Sequence, residues 1–115
     1  MVTGVSFRSL LVDRAIELEA DTIIVHHPHG FWNNESRLPV GILGKQVGKL
    51  FKHGISLYGF HLPLDGHLEI GNNALIAKAL GAKVTSTFMR EGEKDIACVA
   101  TFENGTVVAV GSGTT

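Results

Sequence analysis

The chain has 115 residues, 44% of them hydrophobic and only 18% charged, with a net charge of −1. That length suits one domain, and a mean hydropathy of +0.21 excludes intrinsic disorder. A pI near 6.6 leaves no basic footprint for nucleic acid, and no apolar run is long enough to span a membrane. No signal peptide is recognised at the start, so the cytoplasm is the expected compartment. A single cysteine, Cys98, excludes an internal disulfide and a cysteine-rich zinc site. The charged share lies below the usual ~25%, which suggests surface buried against other subunits.

Residues 1–4 are too few to place. Ser6 is a candidate cap for a helix from about Phe7 to Glu19, whose Phe7, Leu10, Leu11, Ala15 and Leu18 recur at helical spacing. Thr22-Ile23-Ile24-Val25 has the unbroken apolar pattern of a strand buried on both faces, and it runs straight into His26-His27-Pro28. Residues 28–38 form a loop. Val40, Leu43, Val47, Leu50 and Phe51 mark a second helix, which Gly54 stops. Ile55 to Phe60 is a second apolar run, ending in His61 and broken by Pro63. A third helix fits Asn73 to Leu80. The tail reads as three strands, Lys83–Met89, Asp95–Phe102 and Thr106–Gly111, with a polar bend over Arg90–Lys94. Asn104-Gly105 is a hairpin signal between the last two strands.

A helix between the two apolar runs requires a crossover, so those strands should be parallel and should end on one edge of the sheet. The predicted fold is therefore α/β, with a parallel strand pair flanked by helices and followed by an antiparallel C-terminal hairpin. Ligands of open α/β sheets bind at the carboxyl ends of strands. Both of these ends carry histidines, and all six histidines of the chain fall between His26 and His67. His26 and His27 point to opposite faces in a regular strand, although a twisted strand end can bring both to one site. His61 and Asp65 flank a turn stiffened by Pro63. Such an aspartate is equally suited to capping the turn. Imidazole with carboxylate suits zinc, iron or manganese. The chain has no phosphate loop and no nucleophile elbow. Cys98 sits in an apolar strand and reads as core, Gly111-Ser112-Gly113 has no helix after it to make a phosphate cradle, and Phe31 and Trp32 suit a pocket wall or a subunit contact equally well.

Val2-Thr3-Gly4-Val5-Ser6, the Ala20–His27 segment with Phe31-Trp32, and the Ile55–Asp65 segment with Gly71-Asn72-Asn73 closely resemble the NIF-three-like family, whose members carry the name GTP cyclohydrolase 1 type 2 homolog. The resemblance covers about residues 2–82. It implies one lobe of a two-lobe α/β fold, here a single truncated domain over residues 1–115, and assembly into a homo-oligomer, a toroidal hexamer. It implies divalent metal, one ion or two, held by His26, His27 and Asp65, with His61 beside them to move protons. The resemblance implies hydrolysis of a small molecule through metal-activated water, with GTP ring opening the reaction proposed for the family.

Two departures accompany the resemblance. The chain starts after the family's N-terminal helix and first strand, and it lacks the family's later His-x-x-x-Glu, since no histidine follows His67. His29, His67, Glu69 or a second subunit are the candidates to complete the site. The alternative expectation is a non-catalytic metal-binding or protein-interaction module that keeps half of a two-metal site.

Overall fold

In the computed structural model, residues 1–31 and 38–111 are described. Trp32 and the Ser112-Gly113 pair lie outside them. The chain divides into two compact units, Met1–His61 and Leu62–Thr115.

The first unit is β1 (Val2–Ser6), α1 (Ser9–Glu17), β2 (Thr22–His27), α2 (Gly41–His53) and β3 (Ser56–Gly59). The three strands form one parallel sheet in the order β1-β2-β3. The expected strand pair is thus a trio, because the first residues supply an extra edge strand. Ser6 pairs with His27 at the end of β1, and the Phe7 amide donates to the His27 carbonyl at 2.9 Å. Continuing that ladder outweighs a helical start at Phe7. Helix α1 therefore begins two residues later than the sequence suggests, after Arg8, and Ser6 is not its cap.

The core of this unit gathers Phe7, Val12, Ala15, Ile23, Val25 and Leu50, all buried. Both helices supply it, and each is amphipathic because its apolar residues recur at about 3.6-residue spacing. Gly54 ends α2 as expected. It takes φ +63°, and the following Ile55 amide donates to the Leu50 carbonyl at 2.9 Å. Only a residue without Cβ adopts that left-handed conformation at little cost. Phe31, the apolar residue of uncertain role, lies 5.9 Å from the Phe7 ring and lines a cavity of about 340 Å³ with Val47, Leu50, Phe51 and Ile55.

The second unit is α3 (Leu62–Asp65), α4 (Asn72–Ala79), β4 (Lys83–Glu91), β5 (Lys94–Thr101) and β6 (Val107–Gly111). Its strands form an antiparallel sheet in the order β4-β5-β6. The Arg90–Lys94 bend proves to be a tight hairpin, with Arg90 paired to Asp95 and Glu91 to Lys94. The Asn104-Gly105 hairpin forms where the sequence places it: Gly105 has φ +83°, and Asn104 Oδ1 accepts from the Thr106 amide at 3.0 Å. Helix α4 lays Ala77 on the sheet, and Ala77, Ala82, Cys98, Ala100 and Val110 make a small-residue core. Cys98 is buried there, and desolvation pushes its thiol pKa up. No helix among the described residues is long and apolar enough to cross a membrane.

Candidate metal centre

Parallel pairing sets the site. Thr22 to Val25 pair with Ser56 to Gly59 in register, so β2 and β3 finish side by side and deliver His26, His27 and His61 to the same edge. Backbone hydrogen bonds extend that alignment past the strand end, since the Phe60 amide donates to the Val25 carbonyl at 2.9 Å. Gly59 permits it. A Cβ there would stand 2.6 Å from Pro28 Cγ, so the proline after the paired histidines packs directly over this glycine.

The three imidazoles pack as a cluster. Ring centroids are 4.5 Å apart for His26 and His27, 4.8 Å for His26 and His61, and 5.2 Å for His27 and His61. Each offers a nitrogen, and these nitrogens all lie within 4.8 Å of one another. The strand end has turned enough to defeat the usual alternation of neighbours. Two donors on one tetrahedral zinc stand about 3.4 Å apart. The observed spread therefore suits one ion after small ring rotations, or two adjacent ions. Among the described residues this is the group of potential ligands that gathers closely enough to hold a metal.

His26 is buried, and its Nδ1 lies 2.9 Å from the Phe60 carbonyl oxygen. A carbonyl only accepts, so Nδ1 carries the proton and the lone pair belongs to Nε2. Metal-binding histidines commonly have this arrangement. His27 Nδ1 lies 3.3 Å from Ser6 Oγ across the β1–β2 pair. The donor set, with the preset tautomer and burial of His26, fits a divalent transition metal or zinc.

The other expected site residues fare differently. His29 packs its ring 5.8 Å from that of His27 and lies outside the cluster of three. His67 is occupied in its own turn, where Nδ1 accepts from the Glu69 and Ile70 amides at 3.2 and 3.4 Å. Asp65 closes α3 in the second unit and is buried, with 3% of its surface exposed. Asn72 Nδ2 donates to its carboxylate at 3.4 Å. The buried Asn73 amide donates to the Asp65 carbonyl at 3.2 Å and to the Ile96 carbonyl at 2.7 Å. A Cβ on Gly71 would meet the Leu64 carbonyl oxygen at 2.3 Å, so glycine is required beside that turn. The Gly71-Asn72-Asn73 motif is thus the scaffold that fixes Asp65.

Sequence reasoning missed two contributors. Ser6 read as a helix cap, and the Phe60 carbonyl has no side-chain signature. A strand reading of residues 2–6 in parallel register with 23–27 would have found Ser6.

Comparison with known proteins agrees with this architecture. The sequence profile of the Duf34/NIF3 (NGG1p interacting factor 3) family matches residues 1–112. The Salmonella typhimurium protein named GTP cyclohydrolase 1 type 2 homolog is 46% identical over 84 residues, which is 73% of this chain and 34% of that protein. A solved structure titled protein ybgI, of unknown function, superposes with a TM-score of 0.79 at 38% identity, covering 89% of this chain and 39% of the other. A crystal structure of a Thermus thermophilus protein gives a TM-score of 0.70 at 32% identity, covering 85% and 39%. The chain spans about a third of the length of the curated relatives it matches. With the profile running over almost every residue, and with the fold shared by these solved structures, the chain belongs to the Duf34/NIF3 family.

Proposed function

We propose that this chain carries the metal-holding part of a metal-dependent hydrolase, with His26, His27 and His61 as ligands and Asp65 as the further ligand that the family resemblance implies. The observation that carries the reading is the convergence of three imidazole nitrogens at one strand edge, with the His26 tautomer fixed by a backbone carbonyl. When bound, zinc, iron or manganese supplies a Lewis acid that lowers the pKa of water toward neutrality. The protein's part is to hold the imidazoles rigid on two strand ends and to keep the proton of His26 on Nδ1. Asp65, held by Asn72 and Asn73, is the carboxylate that the resemblance assigns to the metal, where its charge would offset part of the ion's. His61 takes part in proton movement wherever a nitrogen of its ring is not committed to metal. The name shared by the relatives makes a small molecule of the nucleotide class, GTP first, the substrate to test. Cytoplasmic location and a homo-oligomeric state belong to the same proposal.

Protein purified without added metal should contain zinc, iron or manganese at up to one or two ions per chain by elemental analysis. The metal-free form should take up the same ions in calorimetric titration. No metal and no uptake would refute the reading. Uptake without turnover of GTP or related nucleotides by the oligomer would instead favour a non-catalytic metal-binding module.

A further inference from the structure

Ser6 lies at the end of the edge strand β1, directly across from His27 in the parallel register. Its Oγ is 3.3 Å from His27 Nδ1. A hydroxyl can donate or accept, whereas an imidazole that offers Nε2 as a lone pair must carry its proton on Nδ1. With Nδ1 directed at Ser6, Nε2 is the nitrogen left to face His26 and His61. We propose that Ser6 is a positioning residue: its oxygen accepts the Nδ1 proton of His27, fixes that tautomer and ring angle, and so presents Nε2 to the metal.

The neighbouring histidine supports this by symmetry of means. His26 gives its Nδ1 proton to the Phe60 carbonyl at 2.9 Å, just past the end of β3. Ser6 does the same for His27 from β1. The two paired histidines, on the central strand, are thus each oriented from a different flanking strand. A serine suits the position because its oxygen sits one bond from Cβ and reaches only across the ladder. Acceptors in this role typically contribute 10–100-fold to metal affinity. The proposal rests on the three-histidine reading above, and its test separates the two.

Zinc affinity would be measured by competition with a chelating dye for the parent chain, Ser6→Ala and Ser6→Thr, with backbone amide NMR spectra confirming that each variant is folded. Ser6→Ala should bind about 10–100-fold more weakly. Ser6→Thr, which keeps the hydroxyl and suits a strand, should bind within a few-fold of the parent. In the zinc-loaded parent, the His27 Nδ1 proton should give a downfield NMR resonance that exchanges slowly with water. In Ser6→Ala that resonance should broaden or vanish while the His26 resonance persists. Equal affinity in parent and Ser6→Ala, or an unchanged His27 resonance, overturns the role of Ser6 and leaves the metal reading intact. A parent chain that binds no zinc overturns both.

Discussion

The backbone decides which nitrogen of His26 is basic, and that choice is made outside the imidazole itself. The Phe60 carbonyl cannot release a proton, so the ring must donate to it. Asp65 is governed in the same way, by two asparagines and a glycine that follow it in sequence. This gives a residue-level prediction. Asp65→Asn keeps the shape and removes the charge, so it should weaken metal binding more than His29→Ala, whose ring stands outside the cluster. Calorimetric titration of both variants decides it. Equal losses would make His29 a ligand, and parent-like binding by Asp65→Asn would reduce the carboxylate to a turn cap. The pairing of His26 and His27 was legible because consecutive histidines end a buried apolar run. The nearness of His61 followed from parallel pairing alone. Ser6 was hidden because the same residue type serves as helix cap and as strand-end acceptor, and local sequence does not choose between them.

At the scale of elements, β2 and β3 are held together at their ends by the packing of Pro28 on Gly59. A proline ring yields little, so a Cβ at Gly59 must move backbone. Gly59→Ala should cost about 1–3 kcal/mol, the usual penalty for overpacking. It should also weaken metal uptake, because Pro28 adjoins His27 and Gly59 precedes His61 by two residues. Gly48→Ala is the matched control. Its Cβ would stand in open space within α2, and it should stabilise by about 0.5–1 kcal/mol. Thermal melts of both variants read the opposite signs. A Gly59→Ala melt equal to the parent's would show that the proline contact is soft. Element types were mostly readable. Helical periodicity, Gly54 and the Asn104-Gly105 turn carry strong local physics. β1 was not, since Val2-Thr3-Gly4-Val5-Ser6 is short, holds a glycine and becomes a strand only when β2 offers a partner.

For the molecule as a whole, the exposed apolar side chains count most. Val5 is 70% exposed, Leu10 82% and Phe51 84%, and Tyr58 adds a half-exposed ring on the edge strand β3. Among the described residues, β1 and β3 are the two edge strands of the first sheet. Edges and apolar patches of this kind are usually covered by another chain. Light scattering at micromolar concentration should therefore report a multiple of 12.3 kDa. A monomer mass would contradict assembly, and would also leave no second copy to complete the metal site.

The alignment of β2 with β3 also bears on how the protein comes apart. His26 and His61 are thirty-five positions apart in sequence, with all of α2 between them. An ion shared by both side chains, as proposed above, would be a fastener across that loop. The unfolded chain meets the same ion only after closing the loop, at an entropic cost that grows slowly with loop length. Native binding therefore adds to folding stability. Depletion of metal would loosen this sheet at the edge where β2 and β3 finish, so under the proposed function loss of activity and loss of order would arrive together.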